Sequence, residues 1–392
     1  MTTQKTLALG TVIVIIVVSL LQSSTVLYGT TIQDVNHRDV TSTEKPTPVP
    51  FLLPKNQSRP LSHISKNEKC SNDPNQPLRK VPGLFALYTN VSLNISSTTK
   101  QSLVCEFQTN QPFSKHFAHA MQQLYTCYSC FQEHSGIRIL SIPNKLKQQL
   151  QSNSFLKGFL HFLQVQMDVK IQDPSNLQPQ GDDYHVIRTT YIPGGYFISH
   201  VKELNQMMQS FLSNNTTKTD SNPPSNQPRI GILNRRPFFG RSIQNIGHLV
   251  ELLSNASILN QQQQVSVEYF EGKSFADQAH FFQSTDILLS PHGAQLTGLP
   301  FLSPCGQVLE LFPANYWIPA FYGSLARNSG IGYSYLYLSN DSSEEPNTAS
   351  QATLELRTQA RATNLCPSPM VILDALQSLI QDWRDCQQQT RG

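Results

Sequence analysis

Charged residues are scarce in this chain. Asp, Glu, Lys and Arg make up 14% of its 392 residues, whereas an average soluble domain has about 25%. The formal net charge is only +3 and no basic block occurs, which argues against a nucleic-acid binder held by phosphate neutralisation. Seven cysteines are too few for a small disulfide scaffold, and the lack of an internal repeat excludes solenoids and propellers. Hydrophobic residues, at 39%, suffice for a globular protein of about two to three domains.

The N-terminus has the pattern of a membrane anchor followed by a polar stem. A short tail, 1–6, precedes an uncharged apolar run at 7–21 that extends to residue 28, about the length that spans a bilayer. Residues 29–80 are rich in Thr, Ser, Pro, Asn and Lys, which predicts a disordered stem. We therefore expect a signal-anchor transmembrane helix at 7–28 and a lumenal domain beyond the stem. A cleaved signal peptide is the alternative, because small residues follow the apolar run.

Glycosylation sequons favour the secretory pathway. Asn-x-Ser/Thr triplets mark acceptors of N-linked glycans. Their asparagines are Asn56, Asn90, Asn94, Asn214, Asn215, Asn255 and Asn340. In that oxidising environment disulfide bonds are expected, and an odd cysteine count leaves at least one thiol unpaired or bonded to another chain.

Short apolar strands alternate with helical patterns from about residue 81 onward. In the first half, strands are predicted at 102–108, 137–142, 169–171 and 184–191, and helices at 114–131, 154–167 and 201–212. In the second half, strands are predicted at 229–233, 265–270, 286–289, 308–312 and 333–338, and helices at 243–259 and 275–283. This alternation predicts an α/β fold with parallel sheets covered on both faces.

A polar segment separates the two halves. Residues 214–228 contain no apolar residue apart from prolines, which is typical of an interdomain linker. The expected domains are therefore an N-terminal domain at 81–227 and a C-terminal domain at 229–365, facing each other across a cleft.

Polar residues gather at the ends of three strands in the second half. Ligands of open parallel sheets bind at the carboxyl ends of strands. Guanidinium groups suit phosphate oxygens, a glycine permits close backbone approach, and a carboxylate can accept ribose hydroxyls. Any one of these residues could instead be a solvated, salt-bridged or backbone-bonded side chain, but their joint placement predicts a nucleotide site. The candidates are Asn234, Arg235, Arg241, His292, Gly293, Ala294 and Glu310.

The same region resembles glycosyltransferase family 61. The resemblance rests on Asn234-Arg235 followed by Arg-Ser-Ile-Gln-Asn at 241–245, on the segment 285–297 with its His-Gly-Ala core, and on Val-Leu-Glu-Leu-Phe-Pro at 308–313. That family includes plant β-1,2-xylosyltransferases and arabinosyltransferases, and animal O-linked GlcNAc-transferases of the secretory pathway. The match covers 229–313 well and extends loosely back to about residue 103.

The resemblance implies a GT-B fold, in which two Rossmann-like domains face a cleft. The domain at 81–227 would then be on the acceptor side, and the domain at 229–365 would bind the nucleotide sugar. It also implies inverting transfer of a pentose or GlcNAc from a nucleotide sugar, expected to be a UDP-sugar, to a glycan or glycoprotein acceptor. The protein would be a single-pass type II protein of the Golgi or ER membrane with a lumenal catalytic domain. Gln295 and Gly298 stand where the family usually has glycine and asparagine, which leaves donor identity open. They also leave open a catalytically inactive sugar- or nucleotide-sugar-binding relative.

The first half supplies the candidate base. His119 matches the histidine of an Asn-x-x-His in the family, while His116 stands where asparagine is usual. These histidines, with Cys127 and Cys130, suggest zinc, but His116 and Cys130 would be about 21 Å apart along one helix, too far to converge on one ion. A disulfide from Cys127 or Cys130 to an upstream cysteine such as Cys105 is the better prediction.

The roles expected from this pattern are specific. His119 is the base, Arg235 and Arg241 bind the diphosphate, Glu310 holds the ribose, and His292 with Gly293 borders the diphosphate or the sugar. No Asp-x-Asp occurs, so we expect metal-independent transfer with no cofactor besides the nucleotide-sugar co-substrate. A hydrolase built on His292 is disfavoured because no Gly-x-Ser-x-Gly elbow is present.

The C-terminus predicts one more helix. An apolar stripe at 370–385 lies between Cys366 and Cys386, whose 20-residue separation corresponds to about 30 Å of helix. They therefore cannot pair with each other, and each needs another partner, such as Cys305 or Cys70. We expect the segment 366–392 to cross back onto the N-terminal domain, as the final helix of GT-B proteins does.

Overall fold

The computed structural model describes residues 102–108, 116–177, 184–189, 195–213, 227–255, 265–338 and 353–391, together with the short strand Arg79–Lys80. The anchor expected at 7–28 lies outside these residues, as does the stem apart from that strand. No helix in the described ranges has both the length and the apolar run that a bilayer crossing requires. Of the seven sequon asparagines, Asn255 falls within the described ranges, and it is exposed at the end of a helix.

Nine helices and ten strands make up the described part of the chain. The helices are α1 (Phe117–Gln132), α2 (Asn144–Gln151), α3 (Ser154–Met167), α4 (Val201–Ser213), α5 (Ile246–Asn255), α6 (Phe275–Gln283), α7 (Pro319–Asn328), α8 (Leu354–Ala362) and α9 (Pro369–Arg391). The strands are β1 (Arg79–Lys80), β2 (Ser102–Glu106), β3 (Arg138–Ser141), β4 (Lys170–Gln172), β5 (Tyr184–Arg188), β6 (Ile230–Asn234), β7 (Val265–Tyr269), β8 (Ile287–Pro291), β9 (Gln307–Pro313) and β10 (Gly332–Leu338). The predicted α/β alternation is confirmed. Helices α2, α7 and α8 were not predicted.

The first half of the chain forms a four-stranded parallel sheet in the order β4-β3-β2-β5. A disulfide between Cys105 and Cys127, with Cα atoms 5.7 Å apart, ties β2 to α1. This confirms one of the two pairings expected for Cys105. The other candidate, Cys130, is a buried free thiol.

The second half forms a six-stranded sheet in the order β1-β10-β9-β8-β6-β7. All its pairings are parallel except that of β1 with β10. Strands β6, β8 and β9 are buried along their whole length, as expected for strands with helices on both faces. Their continuous apolar runs are what made them recognisable in the sequence.

The two faces of this second sheet pack against different partners. Leu233, Leu288 and Val308 belong to a large core that also holds the apolar side chains of α1, α3 and α4. The two sheets are therefore joined by one continuous apolar core. On the opposite face, Ile287 and Leu309 belong to a second core that includes α5 and α9.

The final helix corrects one expectation. The apolar stripe of α9, from Val371 to Ile380, packs in the second core, against the sheet of its own half. A disulfide from Cys386 to Cys305 fixes its end there, and Cys366 is also disulfide-bonded. The predicted return of 366–392 to the N-terminal domain is therefore wrong for the described contacts. The physical reason is that this face of the second sheet needs an apolar cover, which α5 alone is too short to supply.

Candidate active site

The carboxyl ends of β6, β8 and β9 lie side by side. Strand β8 pairs with β6 on one side and with β9 on the other, all in parallel. The residues that follow β6 and β8 therefore emerge at the same edge of the sheet, as expected for a ligand site in an open parallel sheet. This edge holds Arg235, Arg241 and His292 from the predicted set.

Three arginines converge at this edge. The guanidinium carbons of Arg361 and Arg241 lie 4.8 and 5.8 Å from the ring centre of Tyr316. Arg361 also donates a hydrogen bond of 3.1 Å to the Tyr316 hydroxyl. The third cation, Arg235, donates to the backbone oxygen of Phe239 at 3.1 Å and acts on the charge of Arg241.

These cations have no carboxylate partner within salt-bridge distance among the described residues. The buried Nε atoms of Arg235 and Arg241 also lack a hydrogen-bond partner. Burial, followed by the neighbouring Arg235, lowers the pKa of Arg241 to about 10. Arg235 and Arg241 are half-buried and Arg361 is exposed. Neighbouring cations repel one another unless an anion joins them, so this arrangement suits an anionic ligand.

The loop that carries Arg241 is locked in place. Gly240 has a positive φ of 67°, and a side chain there would lie 2.2 Å from the backbone oxygen of Arg361. Arg241 itself has φ 57°, a left-handed conformation that is unusual for a residue with a side chain. Its amide donates to the backbone oxygen of Thr363 at 2.8 Å. Strained backbone of this kind clusters at ligand sites.

Asn234 does not face the ligand edge. It is buried, and its amide oxygen accepts from the backbone nitrogen of Ile243 at 2.8 Å while its amide nitrogen donates to the backbone oxygen of the same residue. Both ends of the side chain are thus occupied by the loop that leads from β6 to α5. These bonds hold the Arg235–Arg241 loop in shape, and the expected donor-binding role of Asn234 stays a prediction.

Glu310 and His292 form a buried pair beneath the arginines. The carboxylate is fully buried, its Oε1 lies 2.6 Å from Nδ1 of His292, and its Oε2 accepts a hydrogen bond from the Tyr333 hydroxyl. Burial raises the pKa of Glu310 to about 8. Burial, with Arg241, Arg235 and Arg361 acting in the same direction, holds the pKa of His292 well below its ordinary value. Both carboxylate oxygens are hydrogen-bonded inside the protein, and the expected contact of Glu310 with a ribose stays a prediction.

Gly293 and the two residues that depart from the family pattern, Gln295 and Gly298, each have a structural role. A side chain on Gly293 would lie 2.5 Å from Nη1 of Arg235, so glycine is needed for the approach of this cation. Gln295 donates to the backbone oxygen of Leu233 at 3.0 Å and to Ser290 at 2.8 Å, and so links the ends of β6 and β8. A side chain on Gly298 would lie 2.0 Å from Phe282, which fills the space beside it.

His119 approaches the same edge from the first half of the chain. Its Nδ1 lies 2.9 Å from the amide oxygen of Gln122, and its ring lies 5.3 Å from His116 and 5.6 Å from Phe321. Burial lowers the pKa of both histidines, and Arg361 and Arg241 contribute to the lowering at His116. The structure therefore brings the candidate base of α1 near the arginine cluster of the second half.

A cavity of about 300 Å³ lies at the ends of β9 and β10. Its lining includes Asn315 and Ala360, the chain neighbours of Tyr316 and Arg361, together with the amide side chain of Asn364. The three arginines and Tyr316 do not line this cavity, which lies beside α8 and the segment that follows it. A volume of this size is at the small end of ligand pockets.

Arg361, Tyr316 and Tyr333 were absent from the residues expected at this site. Each lies in a segment without a recognisable motif, and Arg361 belongs to a helix, α8, that was not predicted. Their signal is tertiary, because Arg361 meets the Arg235–Arg241 loop across about 120 residues of chain.

Comparison with known proteins identifies a family. The model of the Glycosyltransferase 61 family matches residues 97–309, more than half of the chain. EGF domain-specific O-linked N-acetylglucosamine transferases are similar in sequence, at 36% identity over 116 residues for the Canis lupus familiaris protein and 34% over 111 residues for the Drosophila melanogaster protein. These alignments cover 29% and 28% of this chain and 21% and 20% of the relatives. The match thus spans about a fifth of the length of the curated relatives.

Two solved structures show weak likeness. They are the glycosyl transferase family 9 protein from Veillonella parvula and the ADP-heptose lps heptosyltransferase II of E. coli, with TM-scores of 0.32 and 0.33 and sequence identities of 10% and 11%. Both alignments cover 72% of this chain, and they cover 97% and 98% of the two structures. At this level of likeness nothing about function follows from them.

Proposed function

The chain belongs to the Glycosyltransferase 61 family, and from that premise we propose that it transfers a sugar from a nucleotide sugar to a glycan or glycoprotein acceptor with inversion at the anomeric carbon. The donor is a UDP-sugar, and the sugar is a pentose or GlcNAc. The similarity to EGF domain-specific O-linked N-acetylglucosamine transferases supports GlcNAc and a protein acceptor. The arginine cluster carries the proposal.

Arg235, Arg241 and Arg361 form the diphosphate site. They supply three cations without carboxylate partners among the described residues, and a diphosphate would supply the matching negative charge. Guanidinium groups bind phosphate oxygens in a bidentate fashion.

His119 is the general base. The amide nitrogen of Gln122 donates a hydrogen bond to the backbone oxygen of Gly195. The amide oxygen of Gln122 is therefore the atom that faces Nδ1 of His119. Nδ1 then carries the ring proton and the basic lone pair is at Nε2. The lowered pKa keeps the ring neutral at pH 7, which is the form that accepts a proton.

The transfer is a single displacement. Nε2 of His119 takes the proton of the acceptor hydroxyl while the acceptor oxygen forms a bond to the anomeric carbon. The bond from that carbon to the diphosphate oxygen breaks on the opposite face, and its electron pair leaves with the diphosphate. The three arginines offset this charge, a task that metal ions perform in other transferases.

The protein acts in the secretory pathway as a type II membrane protein. The sequons, the apolar N-terminal run and the disulfides Cys105–Cys127 and Cys305–Cys386 support this location, because disulfides persist in oxidising compartments. The exposed Asn255 is the sequon best suited to a direct test by mass spectrometry.

The decisive experiment is a screen of the purified chain against a panel of nucleotide sugars, with binding measured by calorimetry and transfer measured separately. Binding and transfer that both fail in Arg241→Met, with only transfer failing in His119→Ala, would establish the proposal. Binding without transfer to any acceptor, insensitive to His119→Ala, would instead favour a sugar-nucleotide-binding protein without catalysis. If no nucleotide bound, the proposal would be wrong.

A further inference from the structure

Glu310 and His292 form a buried pair that joins the ends of two neighbouring strands. Glu310 lies on β9 with no exposed surface, and His292 follows β8 with 4% of its surface exposed. Within the described residues, the carboxylate oxygens bond to His292 and Tyr333, and the arginines above do not bond to them. A carboxylate buried in this way is costly unless it is protonated or faces a protonated partner.

The pair is faced by cations and by neutral phenol rings, and by no second anion among the described residues. Arg235, Arg241 and Arg361 act on His292, and the rings of Tyr316 and Tyr322 lie 5.2 and 5.4 Å from the imidazole. The pKa of Glu310, raised to about 8 by burial, means that the pair holds one proton and is neutral at pH 7. The three arginines keep that proton on the carboxylate side, because an imidazolium would be a fourth cation in the cluster.

A bound diphosphate reverses this balance. Its negative charge offsets the arginines and favours a positive ring at His292. The proton then moves along the 2.6 Å contact: the bond from hydrogen to Oε1 of Glu310 breaks, and a bond from hydrogen to Nδ1 forms. No other reactant is needed, and the ion pair that results remains neutral overall.

On the basis of the proposed donor site, we propose that Glu310 is a positioning residue and proton reservoir through which His292 becomes an imidazolium when the donor diphosphate binds. His292 thereby offers a positive charge to the diphosphate in the complex, while its ring stays neutral in the free protein. The pair holds its proton more tightly in the complex than in the free protein, so donor binding is coupled to proton uptake wherever the free pair is partly deprotonated.

The test is calorimetry of UDP binding at pH 8.5 in buffers that differ in ionisation enthalpy. With a pKa of about 8, the free pair is about one-quarter protonated at this pH and nearly fully protonated in the complex, so each UDP should take up about 0.5–0.7 proton. Four other ionisable groups of the donor complex keep their protonation state at this pH. The terminal phosphate is already ionised, Arg241 with a pKa of about 10 stays charged, and His116 and His119 with lowered pKa stay neutral.

Variants separate this role from a purely structural one. Glu310→Gln keeps the shape of the side chain and should abolish proton uptake while weakening UDP binding about three- to tenfold. The control Glu251→Gln, at an exposed position of α5, should leave uptake unchanged. Where Glu310→Gln does not fold, Tyr333→Phe serves instead, because losing a hydrogen bond that lowers the pKa of Glu310 leaves the free pair more protonated and should reduce uptake at pH 8.5.

The outcomes distinguish the two proposals. UDP binding without proton uptake, or uptake that persists in Glu310→Gln, would overturn the reservoir and leave the donor site standing. Failure of UDP and of other nucleoside diphosphates to bind would overturn both.

Discussion

Replacing Arg241 with methionine should stabilise the folded protein and at the same time remove donor binding. Arg241 is half-buried, has no carboxylate partner within salt-bridge distance among the described residues, and lies beside two other cations. Methionine retains an unbranched side chain of similar length and removes the charge. Stability and function should therefore move in opposite directions, as they do where a site is built for a ligand rather than for the free fold.

The size of the effect follows from the pKa of this arginine. Burial and the neighbouring Arg235 lower its pKa to about 10, well below the ordinary value of a guanidinium. At about 1.4 kcal/mol for each tenfold change in the protonation equilibrium, the charge costs about 3 kcal/mol in the folded state. The variant also loses the contact with the Tyr316 ring, worth about 0.5–1 kcal/mol. The expected gain in unfolding free energy is about 1–3 kcal/mol.

The assay is urea or thermal unfolding with and without UDP. In the absence of nucleotide, Arg241→Met should unfold at higher urea concentration than wild type. A nucleotide present at a hundred times its dissociation constant should stabilise the wild type by about 2.7 kcal/mol and should leave the variant unchanged. Arg236→Met is the matched control, because this neighbouring side chain is exposed and its replacement should change stability by less than about 0.5 kcal/mol.

Loss of stability would refute the reasoning. If Arg241→Met unfolded at least about 1 kcal/mol more easily than wild type, the cation would be satisfied by the protein itself and the cluster would not be an anion site. An unchanged affinity for UDP in the variant would remove Arg241 from the donor site, whatever its effect on stability.

Four further outcomes are expected. His119→Ala should lower turnover by about 10²–10⁴-fold with little change in donor affinity, measured by steady-state kinetics and calorimetry; equal losses in both would contradict its role as base. Between pH 6.5 and 8 the folded pair of Glu310 and His292 keeps a proton that the unfolded chain releases. As the pH rises over this range, the unfolding free energy of the wild type should therefore fall by about 2 kcal/mol relative to that of Glu310→Gln. Activity should survive chelation by EDTA, and a loss restored by manganese would disprove metal independence. Gly298→Asn should lower the free energy of unfolding by about 1–3 kcal/mol, because Phe282 occupies the space of the new side chain. An unchanged melting temperature would show that Phe282 moves aside.

The sequence alone determined every described strand except β1, which lies in the predicted stem, and most of the helices. The apolar runs at 229–233, 286–289 and 308–312 predict buried parallel strands because burial on both faces leaves no polar alternation. The turn residues after β6 and β8 placed Arg235, Arg241 and His292 at one edge, since parallel neighbours share the edge where their carboxyl ends lie. These are local patterns, and a local pattern can be recognised without knowing what it packs against.

Only the tertiary structure decided which of these polar side chains are bonded inside the protein. Asn234 and Glu310 have the right position in sequence, but their polar atoms are bonded to Ile243, His292 and Tyr333, and no local pattern distinguishes an inward from an outward side chain at a strand end. Arg361 reaches the cluster from a distant helix. The sequence also left open which surface α9 covers, because its apolar stripe could match any uncovered sheet face. In the structure, α1, α3 and α4 cover one face of the second sheet, and α9 covers the other.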